Sequence, residues 1–499
     1  MNVTFTVAIA GMVVIAALGF TGRRGKTADL DEWTVGKRDF GAMSAWFLQA
    51  GEAFTTFTFL GVAGIAFGGG VAATYAIPYI PLSFIGMFFI APLVWRLGRR
   101  HNYITQADYF EERYNSRLMG VVVAVMGVVF LLPYLQLQIT GLGAIVQLVT
   151  GKENWGDISM VIATVLTVAF VLWSGLRGVA NTAYLKDVLV ILAMVVLVVA
   201  IPSHFAGGLT DVFEQVKETR PELLTVPDDG ATGKNWWLTS ILISAIGSAF
   251  MTLPHLWPAT LAAKDENVLR KNSIWLPLYQ VVIILPIAIG FTGAIALDQK
   301  ADGNSVLLTL TRDALPDWFV GVVAVAAASA AMVPAAALCM GMSTLVARNI
   351  VRTRNPRAQL AVNHGFVVVA AGIALLLGLN RPDALADLLL LTFSGLAQLA
   401  PGFIAVLTAR KLLAKWPVLL GMAAGVAVVW YVTFEKPDVA DINAGILGLA
   451  ANIAVAAVAQ LAHRFVTRNS GAAPGPTSPA SPTPPASPPA PRAPKETVG

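Results

Sequence analysis

Charged residues are scarce in this chain of 499 residues, where Asp, Glu, Lys and Arg together make up only 13%. Ordinary soluble domains carry about 25%. Apolar residues reach 56%, and the mean hydropathy is +0.69. This composition excludes an ordinary soluble protein and indicates an integral membrane protein. Cysteine is nearly absent too, and the single Cys339 excludes an intramolecular disulfide and a cysteine-built metal site.

Motifs of soluble modules are also missing. The sequence contains no Walker motif and no kinase signature, which disfavours a pump or a sensor. It has no short re-entrant segment with repeated carbonyl-presenting glycines, which disfavours an ion channel. No enzymatic activity is predicted. A secondary transporter is favoured, and a channel-like facilitator or a transporter-derived sensor is the rival class.

Long apolar runs are what the sequence has instead. A helix of about 20 mostly apolar residues spans the hydrocarbon core of a bilayer. Thirteen such runs are predicted: 3–20, 43–68, 72–97, 118–149, 157–175, 182–206, 238–261, 273–297, 318–347, 362–380, 384–408, 416–433 and 442–466. They are continuously apolar, whereas barrel strands would be shorter and alternating. The predicted fold is an all-α polytopic membrane protein with about thirteen transmembrane helices.

Basic residues are distributed unevenly among the predicted loops. Of the 34 Lys and Arg, 26 fall on one side of the membrane, and Lys186 is counted among them. The positive-inside rule therefore predicts that the N-terminus lies outside and the C-terminus in the cytoplasm. The expected location is the plasma membrane. The net charge of +5 reflects this topology, and no nucleic-acid partner is predicted. Residues 467–499, rich in Pro, Ala and Ser, are predicted to be a disordered cytoplasmic tail.

The second and seventh predicted spans carry residues that interrupt helices. The run "AGEAFTTFTFLGVAGIAFGGG" (50–70) mixes glycines and threonines with bulky aromatics, and the seventh span has Pro254 and Pro258 around His255. Proline inside a helix removes a hydrogen bond, so a break near residue 254 is predicted. Spans two to six and seven to eleven would form two five-helix repeats, each opening with a distorted helix. Backbone groups exposed at such breaks can hold an ion and a carboxylate at the midplane.

Four stretches resemble a known family. "GEAFTTFTFLGVAGIAFGGG", "SGLRGVANTAYLKDVLVIL" (174–192) and "LPHLWPATLAAKDENVLRKNSIWLPLYQ" (253–280) resemble the sodium:solute symporter family, and the resemblance covers residues 1–466. "SAAMVPAAALCMGMSTLVARNI" (329–350) resembles its monocarboxylate-uptake branch. The resemblance implies a five-plus-five inverted repeat of the leucine-transporter type, with ion-driven uptake by alternating access. Residues 21–414 would form the transporter core, flanked by an extra helix at 1–20 and two helices at 415–466.

The sequence departs from the family pattern at one position. Many members hold sodium between backbone carbonyls of the second span and an adjacent Ser-Thr pair on the ninth. The resemblance places that pair at Met332 and Val333, which offer no side-chain oxygen to a hard cation. Ser329, Ser343 and Thr344 lie elsewhere on the helix and could substitute only in part. No cofactor is predicted, and the coupling ion stays open between Na⁺ and H⁺.

Glu52 is the leading candidate for a functional residue. A charged side chain at the centre of a span costs about 2.5–3.5 kcal/mol on insertion scales, so an intramembrane carboxylate is by default a functional hypothesis. Glu52 would load a proton or supply the negative charge of a cation site. The alternative is a structural pairing with a neighbour such as His255 or Gln138. The other substrate- or ion-binding candidates are Gly51, Thr55, Thr56, Gln138, Asp187, His255, Ser329 and Gln398.

Most of these further candidates have a structural alternative. His255 could contact a substrate carboxylate or satisfy loose backbone carbonyls at the break. Gln138 and Gln398 are equally interpretable as hydrogen bonds between helices, and threonines such as Thr55 often bond to their own helix. Asp187, beside Lys186 at the predicted cytoplasmic start of span six, could line an ion exit path or form an interfacial salt bridge.

The predicted function is a symporter importing a small monocarboxylate such as pyruvate, lactate, acetate or propionate. Its expected partners are this organic acid, a coupling cation and the lipid bilayer. Sodium-driven uptake of another solute, such as an amino acid or pantothenate, is the alternative.

Overall fold

The computed structural model describes residues 3–21, 29–152, 155–380, 385–408 and 412–470. Within these ranges the chain is helical, and the only strand-like pairing is one isolated bridge between Phe40 and Ala263. The predicted all-α fold is confirmed. The predicted tail lies outside the described residues from 471 onward, while the last helix extends past 466 to Ser470.

The described residues form twenty α-helices. In order they are α1 (Val3–Thr21), α2 (Leu30–Val35), α3 (Ala42–Ala53), α4 (Val62–Gly69), α5 (Tyr79–His101), α6 (Gln106–Tyr114), α7 (Arg117–Thr150), α8 (Gly156–Ala206), α9 (Leu209–Thr219), α10 (Lys234–Ala249), α11 (Leu256–Ala262), α12 (Glu266–Gln280), α13 (Ile284–Ala296), α14 (Val306–Ala314), α15 (Asp317–Leu345), α16 (Pro356–Asn380), α17 (Leu385–Leu396), α18 (Ala400–Leu407), α19 (Lys415–Glu435) and α20 (Ala444–Ser470). The 3₁₀ segments are Gly70–Ala76, Pro221–Leu224, Val281–Ile283, Gly303–Ser305 and Ala397–Leu399, and the π segments are Phe57–Gly61 and Val346–Val351.

Nine helical stretches of the described chain are long and apolar enough to cross a membrane. Helices lie over each of the thirteen predicted runs, but the count of thirteen spans remains a prediction. Some stretches are too long for one crossing. The 51 residues of α8 would extend about 75 Å at 1.5 Å per residue, against a hydrocarbon core of about 30 Å.

A kink at Gly175 divides α8 into two parts. Gly175 has φ +56° and ψ −178°, a conformation that glycine adopts without the steric penalty of a Cβ. The helix resumes at once, so the loop predicted at 176–181 does not form. Lys186 and Asp187 therefore lie about three turns into the second part of α8, and both are fully buried.

The second predicted span is broken where the sequence suggested. Helix α3 ends at Ala53, Phe54 is extended (φ −94°, ψ 103°), and a π-helical turn at Phe57–Gly61 leads into α4. The N–H of Thr55 would bond the carbonyl of Gly51 in a continuous helix, but it donates to Thr58 Oγ1 instead, at 3.4 Å. The break leaves carbonyl groups at the end of α3 without helical partners.

The seventh predicted span is also broken, as the prolines predicted. Helix α10 ends at Ala249 and α11 starts at Leu256. Met251, in the connection, has φ +49°. Its carbonyl accepts a hydrogen bond of 2.9 Å from Trp257 Nε1, and the Gly247 carbonyl accepts from Thr252. Side chains of the connection therefore compensate for helical bonds lost at the break.

Helix α15 forms the centre of the bundle. In its most apolar window 94% of residues are buried, compared with 22% for the peripheral stretch Ala444–Thr467. It contacts α1, α7, α8 and α3, and its small residues permit close approach. At Gly341, an added Cβ would lie 3.0 Å from the backbone of His255. Helix α15 thus supports both broken spans.

Candidate functional site

A cavity lies between the two broken spans. Its walls include Gln49 and Glu52 from α3, Tyr134 from α7, and His255 and Thr260 from the broken seventh span. The cavity volume is about 80 Å³. Since one water needs about 10–15 Å³ of such volume, the cavity has room for a few waters or a small solute. The cavity has apolar walls with a few polar groups, as expected of a site for a small organic solute.

Glu52 lines this cavity with its carboxyl group unsatisfied. The residue is 3% exposed, and neither carboxyl oxygen has a hydrogen-bond partner among the described residues. The structural pairing of Glu52 with His255 or Gln138 is thus not formed. Burying an ionised carboxylate without a partner costs free energy. The group is therefore stable when it is protonated or when a bound ligand provides a hydrogen-bond donor or a positive charge.

His255 faces the same cavity from the other broken span. It is 4% exposed, and its Nδ1 has no partner in the part of the chain that the structure describes. The Tyr134 ring packs edge-on against it, with centroids 5.4 Å apart. Thr260 Oγ1 is likewise buried without a described partner. The cavity therefore presents several polar atoms whose hydrogen-bonding capacity is unused.

Gln138 joins α7 to the break after α3. Its Oε1 accepts from the Thr56 N–H at 3.2 Å and from Thr56 Oγ1 at 2.7 Å. The side chain satisfies a backbone group that the break exposes, which is the interhelical role weighed for it. Thr55 and Thr56 are both buried and neither lines the cavity.

Lys186 lies beside the break as well. Its Nζ donates to the carbonyls of Gly51 at 2.9 Å and Phe54 at 2.8 Å, and lies 3.0 Å from Asp187 Oδ1. Tyr279 of α12 donates to the same Asp187 oxygen at 3.0 Å. The salt bridge weighed for Asp187 and Lys186 is formed. The Lys186 and Asp187 side chains are 0% and 1% exposed, so the pair belongs to the core.

Gly51 allows three helices to meet at the break. A Cβ added there would lie 2.8 Å from Ala183 Cβ on α8 and 3.2 Å from Val333 Cγ1 on α15. Val333 therefore packs directly against the end of α3. The side chains of Val333 and the buried Met332 contain no oxygen, so α15 presents an apolar surface to the break.

Comparison with known proteins agrees with this architecture. The family model described as "Sodium:solute symporter family" matches residues 33–412. The chain belongs to the sodium:solute symporter family. The uncharacterized symporter YhjB of Bacillus subtilis is 33% identical to it over 91% of this chain and 96% of the relative. The monocarboxylate transport permease protein of Rhizobium johnstonii is 29% identical over 89% of this chain and 94% of the relative.

Two solved structures of symporters share the fold. A Na⁺-coupled sialic acid symporter superposes with a TM-score of 0.74 at 14% identity, covering 92% of this chain and 97% of that one. The nucleobase-cation-symport-1 transporter Mhp1 gives a TM-score of 0.58 at 17% identity, covering 87% and 94%. The leucine-transporter-type fold predicted for this symporter is confirmed, and it is a multi-pass membrane protein.

Two further predicted site residues of this symporter, Ser329 and Gln398, also lie away from the cavity. Ser329 Oγ donates to the carbonyl of Ala326, one turn earlier in its own helix, at 2.7 Å. Gln398 Nε2 donates to the carbonyls of Ser394 and Gly445, at 3.0 and 3.1 Å. Gln398 joins the C-terminal helix α20 to the bundle, which is the structural alternative considered for it. Neither residue contacts the cavity in this structure.

Sequence reasoning missed Lys186 and Tyr279 as parts of the site. Lys186 was counted with the basic residues of the cytoplasmic side because it was placed at the cytoplasmic start of span six, predicted at 182–206. The usable signal was the neighbouring Lys-Asp pair followed by the apolar run "VLVILAMVVLVV". In membrane proteins such adjacent opposite charges are commonly paired inside the bundle.

Proposed function

We propose that this protein is a secondary active symporter that imports a small monocarboxylate, such as pyruvate, lactate, acetate or propionate, by alternating access. A gradient of H⁺ or Na⁺ across the plasma membrane would drive it, with the N-terminus outside. The observation that carries the proposal is the buried carboxyl group of Glu52, which lacks a described partner and lines a cavity between two broken helices.

The chemistry of Glu52 supports obligatory coupling. When it is protonated, its O–H can donate a hydrogen bond to a substrate carboxylate in the cavity. When it is ionised, it repels that carboxylate at short range in a medium of low dielectric constant. Proton and acid would therefore bind together, and an ordered release on the inner side would complete an electroneutral cycle. His255 and Thr260 have unused polar atoms that could orient the substrate.

Two further observations bear on the substrate and the ion. The relative from Rhizobium johnstonii, named a monocarboxylate transport permease, supports the substrate class over nearly the full length of the chain. Membership of the sodium:solute symporter family and the fold of a Na⁺-coupled symporter support Na⁺ as the coupling ion. The environment of Glu52 supports H⁺. The ion is thus the first property to measure.

The decisive test is uptake of labelled pyruvate into proteoliposomes. An inward proton gradient and an inward sodium gradient are imposed separately, and protein-free liposomes serve as the control. Accumulation above equilibrium under either gradient supports the proposal and identifies the ion. Equilibration without accumulation would indicate a facilitator. Absence of any pyruvate, lactate, acetate or propionate flux would reject the substrate class and favour sodium-driven uptake of an amino acid or pantothenate.

A further inference from the structure

The ammonium group of Lys186 occupies an oxygen-lined position at the end of α3. Three oxygens surround it within 3.0 Å: the carbonyls of Gly51 and Phe54 and the carboxylate of Asp187. The side chain has no solvent exposure. Main-chain carbonyls and a carboxylate are the groups with which proteins surround hard cations. The position of the ammonium is therefore that of a cation in a coordination site.

The break in α3 creates the negative potential that this cation neutralises. The last carbonyls of a helix carry the negative end of its dipole. The Gly51 carbonyl has lost its helical donor because the N–H of Thr55 bonds to Thr58 Oγ1. A cation at this helix end is stabilised by both the dipole and the unsatisfied carbonyl. Asp187 on α8 adds a full negative charge, and Tyr279 fixes its orientation.

Helix α15 provides no oxygen that would complete a sodium site here. Val333 approaches Gly51 with a methyl group, and the neighbouring Met332 has only a thioether. The hydroxyls of α15 are engaged elsewhere. Ser329 bonds to its own helix, and Thr344 Oγ1 pairs with Thr34 Oγ1 of α2 at 2.9 Å. The residues present fit an ammonium group and do not fit a bound sodium ion.

We propose that the Lys186 ammonium is a tethered cation that takes the place of a metal ion at the break of α3, so that transport requires no sodium. Lys186 bridges α3 to α8, which a metal ion would otherwise do. The consequence for transport rests on the proposed function, since it concerns monocarboxylate symport. The expected absence of sodium binding does not rest on the proposed function, because sodium binding can be measured without a substrate.

The first experiment uses the full-length protein purified in detergent. Its melting temperature is measured while NaCl replaces choline chloride at constant ionic strength and pH. We expect no saturable change with sodium, and equal pyruvate uptake in proteoliposomes with sodium or choline. A saturable sodium-dependent rise in the melting temperature, or uptake that needs sodium, would overturn the proposal. Absence of uptake in both salts would count against the proposed function alone, since the melting experiment still decides the sodium question.

The second experiment removes the tethered cation. In Lys186→Thr the shortened side chain leaves space and a hydroxyl oxygen, so sodium should now raise the melting temperature in a saturable manner. Lys186→Met fills the space with an apolar chain and should show no response. Adding Asp187→Asn to Lys186→Thr should abolish the response, because the negative charge is lost. Lys234→Thr, at an exposed lysine paired with Asp228, is the matched control.

Sodium responses in these variants have a clear interpretation. A response in Lys186→Thr that disappears with Asp187→Asn supports the tethered-cation proposal. No response in a folded Lys186→Thr protein would show that the position is not a cation site. If Lys186→Thr does not fold, the measurement on the wild-type protein still tests the proposal, because any sodium requirement there contradicts it.

Discussion

Replacing Lys186 by Met tests how much the buried pair with Asp187 contributes to stability. The substitution keeps an unbranched side chain one atom shorter and removes the ammonium, so Asp187 is left as a buried charge and two carbonyls lose their donor. Removing one partner of a buried ion pair costs about 3–5 kcal/mol. Because the two side chains are 0% and 1% exposed, water does not screen this loss. We expect the free energy of unfolding to fall by about 3–5 kcal/mol.

The assay is a double-mutant cycle with Asp187→Asn. Unfolding of each protein is followed in mixed micelles by titration with a denaturing detergent. If the pair is formed as described, the double variant should be more stable than the sum of the single losses predicts, by about 2 kcal/mol. Neutral groups of similar size can replace a buried ion pair at little cost. Additive losses would refute the reasoning, since they would mean that the two charges do not interact.

Three other outcomes are expected. Glu52→Gln should abolish gradient-driven accumulation and leave substrate counterflow partly intact, whereas Glu214→Gln, at an exposed position, should behave as wild type. Unchanged accumulation in Glu52→Gln would mean that Glu52 has a structural role. Gly51→Ala should lower the melting temperature, because overpacking against Ala183 costs about 1–3 kcal/mol. Adding Ala183→Gly should restore the melting temperature, and failure of this rescue would refute the contact between positions 51 and 183. Gln398→Leu should lower the melting temperature without changing KM for the substrate, since its side chain bonds to backbone carbonyls and to Asn452 of α20. A raised KM would place it in the transport site.

Much of the fold could be predicted from the sequence because a membrane restricts which backbone conformations a chain can adopt. Long apolar runs must be helices, since backbone groups in lipid have no other partners. The break near Pro254 followed from the missing N–H of proline, and the break after α3 followed from glycine and threonine within an apolar run. Glu52 was identifiable because an isolated carboxylate in such a run is costly.

The positions of Lys186 and Gln398 could not be derived in the same way. Lys186 was placed at the cytoplasmic start of span six, whereas the kink at Gly175 lets the helix continue and brings Lys186 to the break after α3. Gln398 bonds to Gly445 on a helix that is distant in sequence. Hydropathy reports how polar a segment is, but contacts between distant segments depend on tertiary packing.

The bridge between Phe40 and Ala263 ties the start of α3 to the end of α11. Phe40 precedes α3 and exchanges two backbone hydrogen bonds with the end of α11: its N–H donates to the Ala262 carbonyl at 3.0 Å, and its carbonyl accepts from Lys264 at 2.9 Å. Each such bond contributes about 0.5–1.5 kcal/mol. A movement that separates the start of α3 from the end of α11 must therefore first break these two hydrogen bonds; otherwise the two helices move together.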